Sequence, residues 1–203
     1  MKLEVPKSAL LLCCITLVAG VALAGVNALT AGKIAENQMA ANLAAFESVL
    51  PQAEEFAYDD AVTAAIADLG SDYYGGGAYG KASINEAVVG TAGGSPVGHA
   101  ISVTTMDGFE GEITLTVGIN TDGVVQGISF TKISETPGMG MVCDTPDWKA
   151  QFEGKAVESF NLLKGGGASA DNEIDSVTGA STTSGAVVNA VNAALDFYRA
   201  NLQ

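Results

Sequence analysis

Basic residues are scarce in this chain. Nine Lys and Arg stand against 23 Asp and Glu over 203 residues, a formal net charge of −14. Nucleic-acid binding needs clustered Lys and Arg to neutralise phosphates, so that class of partner is excluded. Cysteine is nearly absent too. Of the three, Cys13 and Cys14 sit in an apolar run, and only Cys143 lies in the polar remainder. They supply no CxxC pair, no disulfide framework and no iron–sulfur or zinc spacing. The single histidine, His99, leaves a transition metal without a ligand set and reads as a packed or solvated side chain at a strand start. No G-x-G-x-x-G follows a strand-like run, so no dinucleotide-binding turn is expected. No nucleophile stands beside a base, and no supported pair of catalytic carboxylates is present.

What the chain has in quantity is apolar surface at its N-terminus and glycine throughout. Ser8 to Gly32 is a run of 25 residues without a charge. As a helix it reaches roughly 37 Å, enough to cross a hydrocarbon core of ~30 Å. "ALAG" (Ala22–Gly25) resembles a signal-peptide cleavage site, but the apolar character continues through Val26, Ala28 and Leu29. A retained anchor is therefore expected over a cleaved leader. Lys2, Lys7 and the amino terminus precede the run, Lys33 follows it, and the excess of positive charge assigns the N-terminus to the cytoplasm. The expected organisation is a cytoplasmic N-terminus at 1–7, a transmembrane helix at 8–32, a membrane-proximal helical segment at 33–70 and a main domain at 71–203.

Past the anchor, Ile34, Met39, Leu43, Phe46 and Leu50 recur at helical steps before Pro51, and "DDAVTAAIADLG" suits a second short helix ending at Gly70. "SDYYGGGAYGKAS" reads as a loop. From His99 onward the pattern turns to strands: "AISVTTM", "EITLTVGI" and "GVVQGISFTK" are rich in Val, Ile, Thr and Phe. Asn120–Gly123 supplies a hairpin turn between the last two. Trp148 and Cys143 read as core. The class is α+β: a mainly antiparallel sheet flanked by helices.

The C-terminal stretch crowds six hydroxyls, Ser176, Thr178, Ser181, Thr182, Thr183 and Ser184, ahead of a helical apolar pattern beginning at Gly185. Thr183 or Ser184 suits the N-cap. A helix N-terminus offers free N–H groups and a positive dipole end, so the loop Thr178–Ser181 reads as a phosphate cradle walled with hydroxyls. Gly179 and Ala180 let a ligand approach the backbone closely. On the residues alone, an ordinary capped helix after a polar loop is the favoured alternative. A second segment, "ETPGMG" (Glu135–Gly140), has Pro137 and Gly138 at the central positions of a type II turn.

"D-x-x-T-G-A-S-x-T-S", formed by Asp175, Thr178, Gly179, Ala180, Ser181, Thr183 and Ser184, resembles the flavinylation motif of FMN-binding domains. "ETPGMG" after a strand, "DGFEGEITLTVGINTDGVVQGISF", "FESVLPQAEEF" and a single N-terminal membrane helix together resemble the G-subunit family of Rnf electron-transport complexes. The resemblance covers nearly the whole chain. It implies FMN joined through a phosphoester to Ser181, with Thr178, Gly179, Ala180, Thr182, Thr183 and Ser184 around the attachment. It also implies that Glu135, Thr136, Pro137 and Gly138 line the flavin pocket. A flavin transferase would make the ester from FAD and would read Asp175.

The implied role is that of a redox carrier in a membrane complex that couples ferredoxin:NAD oxidoreduction to movement of Na⁺ or H⁺. Its partners would be other membrane subunits and lipid, with the flavin domain outside the cytoplasm. A C-type subunit of a sodium-pumping quinone reductase, a stand-alone extracytoplasmic flavin carrier and a flavin-free anchored binding module are the competing readings. Gly20, Ala22, Ala24 and Gly25 offer small residues for close helix packing in the membrane.

Overall fold

A computed structural model describes residues 7–70 and 73–203. Residues 1–6, most of the stretch read as a cytoplasmic N-terminus, lie outside the described residues. The chain divides into two compact units, one ending at Asn42 and the other running from Leu43 to Gln203.

Helix α1 spans Lys7–Val49 without a break. Among the described residues it is the one helix long and apolar enough to cross a membrane. Leu11, Ile15, Val18, Val21 and Val26 are all exposed. An apolar surface of that extent is stable only under lipid or against another protein. The expected helical periodicity after Lys33 resolves into two regimes. Ile34, Met39 and Leu43 are exposed, whereas Phe46, Val49 and Leu50 are buried in the second unit.

That second unit is built on a five-stranded antiparallel sheet in sequential order, β1 (Glu55–Tyr58), β2 (Ala82–Ala92), β3 (Ser95–Thr105), β4 (Ile113–Asn120) and β5 (Val125–Lys132). The sheet thus begins well before the strands read from the sequence, and His99 lies in the middle of β3. The hairpin at Asn120–Gly123 forms as expected: Gly123 N donates to Asn120 O at 3.0 Å, and Asn120 Oδ1 accepts from Asp122 N and Val124 N. Helix α2 (Asp60–Asp68) is capped by Asp59, whose carboxylate accepts from Ala61 N and Val62 N.

Two apolar layers cover the sheet. On one face, Ile101, Val103, Leu115, Val117 and Ile119 pack against Val187, Ala190, Val191, Ala194 and Phe197 of α4 (Ser181–Asn201). Burial of this α4 face, rather than local propensity, holds the helix. On the other face, Phe46, Val49 and Leu50 pack on Val88 and Ala100. Gly118 permits this approach, because a Cβ there would collide with the Val49 carbonyl. The segment between β5 and α4 carries a short helix α3 (Pro146–Lys149) and a two-stranded parallel pair, β6 (Asn161–Leu163) and β7 (Glu173–Asp175).

Candidate functional site

The turn after β5 forms as its sequence demands. Met139 N donates to Thr136 O at 3.1 Å, and Gly138 sits at φ +75°, a value open to glycine at the third position of a type II turn. This turn faces the start of α4. Together they enclose a cavity of about 270 Å³ lined by Phe109, Glu135, Thr136, Met139, Gly140, Gly179, Ala180, Thr182 and Thr183. Two segments well apart in the chain, both singled out from the sequence, therefore build one site.

The helix start differs from expectation. Helix α4 begins at Ser181, ahead of Gly185, and its N-cap is Ala180, which has no side-chain cap. Thr183 and Ser184 are not caps. Each has a stronger use inside the fold. Thr183 Oγ1 donates to Glu135 Oε2 at 3.1 Å, and both residues are buried. Ser184 is fully buried; its Oγ accepts from Val177 N and donates to Ala180 O, both at 3.0 Å, and lies 3.7 Å from Cys143 Sγ. Ser184 therefore braces the loop Val177–Ala180 from within the first turn of the helix. Because no side chain caps the helix, its leading N–H groups stay available to an external acceptor, and the dipole favours an anion there.

The remaining hydroxyls divide cleanly. Thr178 and Thr182 are exposed, and their hydroxyls make no hydrogen bond among the described residues. Ser181 is half-buried, and its Oγ accepts from Ser176 Oγ at 3.0 Å. Gly179, at φ +81°, lets the loop turn sharply before the helix, with the Met139 methyl 3.2 Å from where a Cβ would stand.

Glu135 ties the site together. Besides Thr183, it accepts from Glu110 N at 3.3 Å, and Thr136 Oγ1 donates to Glu110 Oε1 at 3.2 Å. Gly140 has no room for a side chain: a Cβ would lie 2.7 Å from Glu135 Oε2 and 3.0 Å from Thr183 Oγ1. The buried carboxylate thus holds together the loop at Phe109–Glu110, the turn after β5 and the first turn of α4.

Of the residues expected around a flavin, Glu135, Thr136, Gly179, Ala180, Thr182 and Thr183 line the cavity. Thr178, Pro137, Gly138, Ser181 and Ser184 adjoin it in sequence without forming its wall. Met139 and Gly140, from the same Glu135–Gly140 segment, line it as well, and Phe109 joins them unexpectedly. Phe109 is 70% exposed and Met139 43% exposed, so the cavity carries an apolar rim open to solvent. Asp175 lies elsewhere, in a larger open groove of about 790 Å³ with Trp148, Gln151 and Glu173. Its carboxylate accepts from Ala168 N at 2.8 Å.

These features suit a flavin mononucleotide. The uncapped helix start and its neighbouring hydroxyls match a phosphate, and the apolar rim matches an aromatic ring. The cavity is below the usual range of roughly 300–1,000 Å³ for small-molecule sites, so such a ligand would be only partly enclosed.

Comparison with known proteins bears on the same residues. The FMN-binding domain family matches residues 108–196, which include every wall of the cavity, and the RnfG N-terminal region matches residues 1–49. A curated relative in Acetobacterium woodii, the G subunit of the Na⁺-translocating ferredoxin:NAD⁺ oxidoreductase complex, is 35% identical over 95% of this chain and 91% of its own length. The chain belongs to the G-subunit family of ion-translocating oxidoreductase complexes. Another member of that family, from Shewanella oneidensis, is 32% identical over 95% of this chain and 88% of its own. The solved structure of NqrC from Shewanella oneidensis aligns over 70% of this chain and 64% of that one, at 20% identity and a TM-score of 0.48, too distant a likeness to argue from. As a G-subunit chain, the molecule combines an N-terminal apolar helix with an FMN-binding domain.

Proposed function

We propose that this chain is the electron-transferring member of a membrane complex that couples ferredoxin:NAD oxidoreduction to Na⁺ or H⁺ translocation, with FMN carried in a phosphoester on Ser181. The observation that carries the reading is the meeting of two segments. The uncapped start of α4, with the half-buried Ser181 at its first position, stands against the Glu135–Gly140 turn across a cavity edged by Phe109 and Met139.

Bound FMN supplies the redox chemistry; the chain supplies orientation and electrostatics. The first-turn N–H groups and the hydroxyls of Thr178 and Thr182 bind the phosphate end. Glu135 and Ser184 hold the surrounding backbone rigid, so little reorganisation accompanies a change in charge at the site. Phe109 and Met139 leave one side accessible, which suits exchange of electrons with a neighbouring protein of the complex. A covalent tether serves a domain outside the cytoplasm, where a dissociated FMN would be lost. Lys2 and Lys7 ahead of the apolar run support that orientation. The partners are the complex's other membrane subunits, a flavin transferase during maturation, and lipid around α1. NAD chemistry is assigned to another subunit of the complex.

The test is a complex assembled with the Ser181→Ala chain. Assembly without ferredoxin-driven NAD reduction is the expected outcome. Full activity in that complex would contradict the reading.

A further inference from the structure

Six hydroxyls crowd the start of α4, yet phosphoester formation requires one of them to be chosen. The structure removes two from contention, because Thr183 and Ser184 are buried and already committed to Glu135 and to the Val177–Ala180 loop. Three others differ in one respect. Thr178 and Thr182 are exposed and their hydroxyls make no hydrogen bond among the described residues, so no such bond fixes their rotamers. Of these three, Ser181 alone receives a side-chain hydrogen bond at its hydroxyl, from Ser176 Oγ at 3.0 Å.

Ser176 is well placed to give it. It directly follows β7, and its own N–H donates to Leu163 O at 2.9 Å. The preceding residue is pinned at both its backbone N–H and its carbonyl. Asp175 N donates to Gln151 Oε1 at 2.7 Å, and Asp175 O accepts from Trp148 Nε1 at 2.8 Å. The Ser176 hydroxyl therefore projects from a fixed platform towards a side chain at the first position of α4. It also lies near Val177 O, at a longer 3.3 Å.

From this geometry we infer that Ser176 is the positioning residue that selects Ser181 for phosphoester formation. The inference rests on the reading that Ser181 carries FMN. The reaction balances as follows: the Ser181 hydroxyl and FAD give the Ser181–FMN ester, AMP and one proton. The Ser181 Oγ–P bond forms, the P–O bond to AMP breaks, and the Ser181 proton passes to a base of the transferase. A donor held against Ser181 Oγ does two things in that step. It fixes the side-chain rotamer, so the remaining lone pair and the departing proton face outward. It also stabilises the charge that develops on the oxygen as the proton leaves. Neither benefit reaches Thr178 or Thr182.

The experiment uses the full-length chain in detergent, a purified flavin transferase and FAD. Incorporation is followed by intact mass, and the attachment point by fragmentation. Wild type, Ser176→Ala, Ser176→Thr and Ser181→Ala are compared at several FAD concentrations, with thermal melting of each. The expected result is a fall of about ten- to a hundredfold in the maximal incorporation rate for Ser176→Ala, at an unchanged FAD half-saturation. A measurable share of its flavin should appear on Thr178 or Thr182. Ser176→Thr, which keeps a hydroxyl, should restore both rate and attachment point, and all variants should melt close to wild type. Wild-type rate and sole attachment at Ser181 in Ser176→Ala would overturn the inference. So would a lowered rate that tracks a lowered melting temperature and is not rescued by threonine. An unmodified wild type beside a modified control substrate would remove the covalent reading itself, a failure distinct from that of Ser176.

Discussion

Thr183 and Glu135 are 48 positions apart, and the threonine hydroxyl donates to the buried glutamate carboxylate at 3.1 Å. That hydrogen bond joins the first turn of α4 to the turn after β5. Replacing Thr183 with Val keeps the shape and leaves Glu135 one donor short in a buried setting. A loss of about 1–3 kcal/mol is expected, read as a lower denaturation midpoint of the flavin-free chain. An unchanged midpoint would mean that the carboxylate finds water or another donor in its place.

Asn192 makes a second long-range tie that gave no signal in the sequence. Its side chain accepts from Phe160 N at 2.7 Å and donates to Phe160 O at 2.9 Å. Asn192→Leu strands both backbone groups against the core, at about 1–3 kcal/mol for each. The variant should express poorly or melt well below wild type, whereas Asn189→Leu, one turn earlier and half-buried, should be mild.

Cys143 is fully buried. Burial, reinforced by the charges of Glu135 and Asp144 and partly offset by the Ser184 hydroxyl, pushes its thiol up to about 11. The folded chain then holds the thiol proton at pH values where the unfolded chain, titrating near 9, has lost it. This contribution to stability is complete below about pH 9 and fades as pH rises towards 11. A thiol reagent at mildly alkaline pH should leave Cys143 unmodified until the domain unfolds. Rapid labelling of the native domain would contradict its burial.

Orientation can be read with one introduced thiol. Cys13 and Cys14 lie in the apolar run and Cys143 is buried, so Ala200→Cys adds an exposed thiol at the end of α4. A membrane-impermeant maleimide should label it in intact spheroplasts. Labelling only after permeabilisation would put the domain in the cytoplasm.

Residue types were more legible in the sequence than residue duties. The hydroxyl cluster, the Pro137–Gly138 turn, the Asn120–Gly123 hairpin and the apolar N-terminal helix all follow from local chemistry, and all form. The N-cap did not follow, because cap preference ranks Ser and Thr by local bonding alone. Here Glu135 and Val177 draw Thr183 and Ser184 into the helix instead. Strand β2 was hidden because its register shifts between Ile84 and Glu86, so Ile84 and Ala87, three positions apart, face the same apolar layer while Val88 faces the other, and the alternation breaks at the shift. Strand β1 is only four residues long and mostly exposed, with too little pattern to mark it. Phe109 lies in a loop without periodicity, so its place on the cavity rim is a product of tertiary structure. Its location within the segment 107–130 that resembles the G-subunit family, and within the FMN-binding match at residues 108–196, marks the neighbourhood but not the duty.

Everything proposed for the site turns on whether Ser181 carries the flavin. The most direct measurement is the intact mass of the full-length chain, matured with a flavin transferase and then denatured. The expected result is a gain of one FMN less one water, mapped by fragmentation to Ser181 alone in the wild type and sharply reduced in Ser181→Ala. An unmodified mass beside a modified control substrate, or a Ser181→Ala chain flavinylated as fast and as fully as wild type, would contradict it.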